Sequence, residues 1–210
     1  MIRDALAALP PVDELRALGV GLALLDAATS GRSYAAERLP DGTLRCCYDH
    51  GSGDWLQLFF PAGGGALVVG FDHESKLSPF RKGTIAPGVY DGLPAALRPC
   101  VETPHDPAED TFPGGPGETT TESTFAAWWD GGWRCGSATK QEGLDGGDGA
   151  DWLLGCFSLD HWLERRVERQ DGPVVQALLR GEPVTDEQLL TLGPEAGVAR
   201  LRALQARLAR

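Results

Sequence analysis

Apolar residues recur along this chain with two periods, and the change from one to the other divides it. Val12, Leu15, Leu18, Leu22 and Leu25 are spaced by three or four, so residues 11–28 predict a helix with one buried stripe. Pro11 in its first turn and the acidic Asp13 and Glu14 suit that start. Gly19 and Gly21 lie inside it, each costing about 1 kcal/mol of helix propensity relative to alanine, so packing must hold the element. From residue 43 the period shortens to two. Runs at 43–48, 54–60 and 66–72 are aromatic and aliphatic, separated by DHGSG and PAGGG, and predict a three-stranded antiparallel meander.

Read as one strand, residues 65–74 place Leu67, Val69, Phe71 and His73 on one face and Ala66, Val68, Asp72 and Glu74 on the other. Both faces stay apolar until Asp72. That pattern suits a strand covered on both sides, whose end emerges as a charged rim at Asp72, His73, Glu74 and Ser75, with Pro79 limiting further pairing.

Val89, Leu93, Leu97 and Val101 predict a helix over 87–101, which Gly92 and Pro94 divide into two short pieces. Residues 103–121, rich in proline, glycine and acid, read as a loop. Residues 123–129 and 133–137 form a hairpin joined at Asp130-Gly-Gly132, and the sheet gains two strands. A Gly/Asp loop over 141–150 precedes the apolar stretch 151–157, strand or helix, and then a helix from Ser158 carrying Leu159, Trp162, Leu163 and Val167. Val174–Leu179 is a short amphipathic helix, Thr185-Asp-Glu-Gln188 matches a capping box, and Val198, Leu201, Leu204 and Leu208 make a final helical stripe. The expected fold is a single α+β domain over residues 1–210: an antiparallel sheet of about five strands packed against N- and C-terminal helices gathered on one side.

Composition narrows the function. The formal net charge of −11 and pI near 4.7 argue against a nucleic-acid backbone as partner and point to a basic protein partner or to solubility. The C-terminal stretch 194–210 runs the other way, with four arginines against Glu195, so the acid lies elsewhere. Cys46, Cys47, Cys100, Cys135 and Cys156 are odd in number and lack a Cys-x-x-Cys pair, which suits reduced core thiols in a cytoplasmic protein. No apolar run reaches membrane-spanning length, and the N-terminus lacks the features of a secretion signal.

Two arrangements of the rim follow from residue type. Asp72, His73, Glu74 and Ser75 can receive a basic partner side chain, or cap the turn after the strand. A metal-assisted hydrolase is the alternative, with Asp72, His73 and Glu74 near the metal and a histidine among His50, His105 and His161 beside them. Ser75 lies in no nucleophile elbow. Trp128 and Trp129, adjacent in a strand, face opposite sides, so one of the pair is the better exposed anchor. Gly63-Gly-Gly65 lacks the lysine and helix of a phosphate loop, and Asp145 to Asp151 lacks the spacing and closing glutamate of an EF-hand. No cofactor is expected.

At GFDHES-x-x-SP over 70–79, at 87–94, at 128–133 and at 149–153, the chain resembles a family of uncharacterised bacterial proteins common in actinobacteria. The resemblance spans most of the chain and implies no catalytic residues. Small acidic cytosolic proteins of this character also occur as immunity proteins beside polymorphic toxins. The expectation is therefore a non-enzymatic inhibitor that occludes a basic toxin or effector through an acidic surface, with Asp72, His73, Glu74, Ser75, Trp128 and Trp129 at the contact.

Overall fold

A computed structural model describes residues 6–7, 9–29, 31, 33–51, 53–79, 83–102, 123–140 and 172–209. Helix α1 (Val12–Thr29) leads into six strands: β1 (Tyr34–Arg38), β2 (Leu44–Asp49), β3 (Trp55–Phe60), β4 (Ala66–Phe71), β5 (Phe125–Trp129) and β6 (Trp133–Cys135). They pair antiparallel in chain order as one meander, β1-β2-β3-β4-β5-β6. After β4 come a 3-10 turn (Ala95–Leu97) and α2 (Pro99–Glu102); after β6 come α3 (Ser137–Lys140), α4 (Gly172–Leu179), α5 (Asp186–Leu189) and α6 (Glu195–Leu208).

The period-two runs form strands because both faces of the sheet are covered. Every residue of β3 and β4 is buried. On one face Cys46, Leu58, Val68 and Ala127 form a row across four strands, packed with α1, α4 and α6. Leu15, Leu18, Leu22 and Leu25 of α1 and Val198, Leu201, Leu204 and Leu208 of α6 all lie in that core, as their spacing predicts. On the other face Phe59, Leu67 and Trp128 form a row, and Trp55 stacks on Phe71 at 6.0 Å between ring centroids. Leu77, Ala86, Val89, Leu93, Leu97 and Cys100 cover it.

The glycines of α1 resolve the propensity problem. A Cβ on Gly21 would stand 2.3 Å from the Leu178 carbonyl oxygen, and one on Gly19 would stand 3.0 Å from Cys46 Sγ. These residues let α1 approach α4 and the sheet closely, and burial of its leucines offsets their weak propensity.

Three expectations change. The sheet has six strands, because Tyr34–Arg38 pairs with β2; Tyr34 and Ala36 alternate inward, but the strand is short and ends in Glu37-Arg38. Glu37 does not need solvent, since its cross-strand partner Arg45 meets it in a buried ion pair. The predicted helix over 87–101 is mainly turns, with Gly88 and Gly92 at φ 92° and 81° and helical geometry only after Pro94. Its apolar residues are nonetheless buried, so the second face is roofed largely by irregular chain rather than left open. Finally, β4 stops at Phe71 and does not continue to Glu74.

The hairpin at Asp130–Gly132, the helix over 174–179 and the Thr185–Gln188 capping box are present as read. Cys46, Cys47, Cys100 and Cys135 are buried free thiols; burial pushes Cys47 up to about 12 and Cys100 up to about 11, so both stay protonated near neutral pH. The loops at 103–121 and 141–150, the stretch 151–157, the helix from Ser158, and Cys156 lie outside the described residues. Among the described residues no helix is long and apolar enough to cross a membrane.

Gly21→Ala gains about 1 kcal/mol of helix propensity but forces backbone apart, an overpacking cost of about 1–3 kcal/mol, so it should lower stability in urea unfolding. Gly63→Ala, where a Cβ meets nothing within 4 Å, should be neutral or slightly stabilising in the same assay.

Candidate functional site

At the exit of β4 the chain turns on Asp72. Its Oδ1 accepts the Glu74 N–H at 2.9 Å, its carbonyl accepts the Ser75 N–H at 3.2 Å, and Ser75 Oγ accepts the Leu77 N–H at 3.1 Å. The Asp72 N–H donates to Thr124 Oγ1 at 3.0 Å, tying the turn to the entry of β5. Asp72 and Glu74 therefore do not project as two carboxylates from one strand face: an Asx turn intervenes, and the capping arrangement is the one formed.

The partner of this turn is the β2–β3 connection. Asp49 Oδ1 accepts the Gly51 N–H at 2.6 Å, and the His50 N–H donates to the Asp54 carbonyl at 3.0 Å. Because Trp55 pairs with Phe71, the next step outward along both strands sets Asp54 beside Asp72. Asp54 Oδ1 accepts two hydrogen bonds from His73, from the backbone N–H at 2.9 Å and from ring Nδ1 at 2.6 Å. His73 Nε2 lies 3.1 Å from Glu74 Oε1, so the imidazole sits between two carboxylates.

Exposure grades outward: the side chains of Asp54, His73 and Glu74 are 15%, 37% and 77% accessible. The hydrogen bond to Asp54 holds His73 above its usual pKa of 6.5; partial burial opposes this, and the charges of Asp54, Glu74 and Asp72 add to the rise. One donor atom from each of Asp54, Asp72 and His73 lies within 4.8 Å of the others, a grouping able to hold a metal ion. Asp54 is the member that reading the 72–75 cluster alone omits. The signal for it is the turn centred on Gly63, about which residues 54 and 72 are symmetric.

The other expected contact residues separate from this rim. Ser75 is 2% exposed and Trp128 3%; Trp128 is core on the face covered by Leu77, Val89, Leu93 and Leu97. Trp129 turns to the opposite face, as adjacency in a strand requires, and is half-buried. It packs edge-on to Trp133 at 5.7 Å, and the two line a cleft of ≈ 670 Å³ with Leu6, Leu9, Pro11 and Arg134. Trp129 pairs with Ala66 at the start of β4, roughly 20 Å along the strand from Asp72, so the cleft and the rim are separate surfaces. His50 is exposed beside the rim, whereas His105 and His161 lie outside the described residues.

Compared with protein-family models, with curated proteins and with solved structures, the chain matches none, so its own geometry carries the functional reading.

A histidine whose folded pKa is raised stabilises the fold below its unfolded value near 6.5, and that contribution is lost as pH rises through the folded value. The stability gap between wild type and His73→Gln, measured by thermal unfolding, should therefore be largest near pH 6 and shrink towards pH 9.

Proposed function

We propose that this protein is a non-enzymatic, cytoplasmic binding protein, an immunity-type inhibitor whose acidic sheet end covers a basic surface on a toxin or effector. The observation that supports this reading is the convergence of Asp49, Asp54, Asp72 and Glu74 from two connections onto one end of the central strands. Three properties suit it to association with a cationic surface. The carboxylates stand on the ends of β2, β3 and β4, whose cores fix them, so little ordering accompanies binding. Glu74 is accessible enough to exchange water for a guanidinium or ammonium. The −11 net charge steers a basic partner from a distance. A standard interface covers about 800 Å² on each partner, enough to take in the rim and its flanking turns. The reading rests on the rim alone, since Trp128 is core and Trp129 belongs to the separate cleft.

A second reading, metal-assisted hydrolysis, gains from the approach of Asp54 to Asp72 and His73. It requires a bound divalent cation and a substrate that the metal-free protein leaves intact.

Capture from lysate of the native host should return a stoichiometric basic protein with wild type. Asp72→Asn/Glu74→Gln, in which asparagine at 72 can still accept the residue-74 N–H, should lose it while still unfolding cooperatively. Association with that protein should slow by at least about tenfold between 0.05 and 0.5 M salt. Salt-independent association, or full retention by the double variant, would count against the rim as the binding surface.

A further inference from the structure

We propose that Asp54, Asp72 and His73 form a binding centre for a divalent first-row transition ion of the zinc type, joining the β2–β3 connection to the exit of β4. The proposal does not rest on the inhibitor reading, because cation binding and partner binding are measured separately. Its basis is the donor set and its spacing. Three donors from two connections lie within 4.8 Å of one another, and one is an imidazole nitrogen. Zinc–nitrogen and zinc–oxygen bonds of about 2.0–2.2 Å place tetrahedral ligands about 3.4 Å apart, so the grouping closes on an ion through side-chain rotation, without strand movement. An imidazole with carboxylates favours zinc and its neighbours over calcium or magnesium, which take all-oxygen shells.

The surrounding structure supplies what such a centre needs besides ligands. The 2.6 Å contact between His73 Nδ1 and Asp54 Oδ1 spans the place that the cation takes. Glu74 Oε1, 3.1 Å from Nε2, then receives the remaining ring N–H and fixes the tautomer, as an outer carboxylate does behind a ligating histidine. Asp72 is anchored through its N–H by Thr124 Oγ1 on the far side of β4. Three protein ligands leave a coordination position for water.

The test uses the untagged full chain. Titration with zinc chloride by calorimetry should show one ion per chain. Cobalt(II) should give visible d–d absorption without the thiolate charge-transfer band that cysteine ligation produces. Asp54→Asn, Asp72→Asn and His73→Gln should each weaken zinc binding by at least about tenfold. Asparagine at 72 can still accept the Glu74 N–H, so the turn is kept while the charge goes. Asp49→Asn, which alters a rim carboxylate outside the triad, should bind as wild type does. Absence of stoichiometric zinc in the wild-type protein, a thiolate band, or equal weakening by the Asp49 variant would overturn the centre; the last would mean diffuse attraction to acidic charge. The wild-type stoichiometry and spectrum decide even if a variant fails to fold.

Discussion

Burial of β3 and β4 on both faces is the constraint from which the rest follows. A sheet exposed on one side can carry polar residues along its length, but one covered on both sides can carry charge only where it is paired or where strands end. The Glu37–Arg45 pair is the paired case, on neighbouring strands near one edge. The rim is the other case: Asp54, Asp72, His73 and Glu74 stand in connections, and Asp49 closes β2. The helices α1, α4 and α6 close one face and Leu77, Ala86, Val89, Leu93, Leu97 and Cys100 close the other, so the polar chemistry of the sheet is driven to its ends.

At one of those ends, two connections meet through a single side chain. His73 is held by Asp54 through both its backbone and its ring, and the same ring faces Glu74 on its outer edge. The hydrogen bonds do local structural work first: they end β4, satisfy backbone donors and keep the β2–β3 connection against the β4 exit. The electrostatic consequence is an imidazole whose protonated form is favoured, first by the hydrogen bond to Asp54 and then by the charges of Asp54, Glu74 and Asp72. Under the two proposals, a basic side chain would meet the exposed Glu74 edge and a metal ion the inner Asp54 edge.

Much of this was legible in the residues. The apolar stripes of α1 and α6, the meander and the 125–135 hairpin all come from periodicity, and periodicity is what double burial selects. The site was half legible. Asp72 and His73 mark themselves by following an apolar run, but strand alternation does not carry to Glu74 because Asp72 caps its own turn. Asp54 lies in a Gly/Asp-rich connection that resembles solvent-exposed filler, and its importance appears only when the register about Gly63 is followed to the strand ends. The covering of the second face was illegible for a different reason. Val89, Leu93 and Leu97 have helical spacing, but glycines at positive φ and Pro94 let turns bury the same residues. Trp128 and Trp129 show the limit of composition: tryptophan marks both cores and contacts, and only pairing parity and the covering layer tell which ring is which.

If Asp54 and His73 join the two connections into one site, nuclear magnetic resonance should find an Nδ1 proton on His73 protected from solvent exchange. In Asp54→Asn that protection should be lost, with amide shift changes across both 49–54 and 72–77. A ring proton that exchanges as in free histidine, with shifts confined to the neighbours of residue 54, would mean that the two connections are independent.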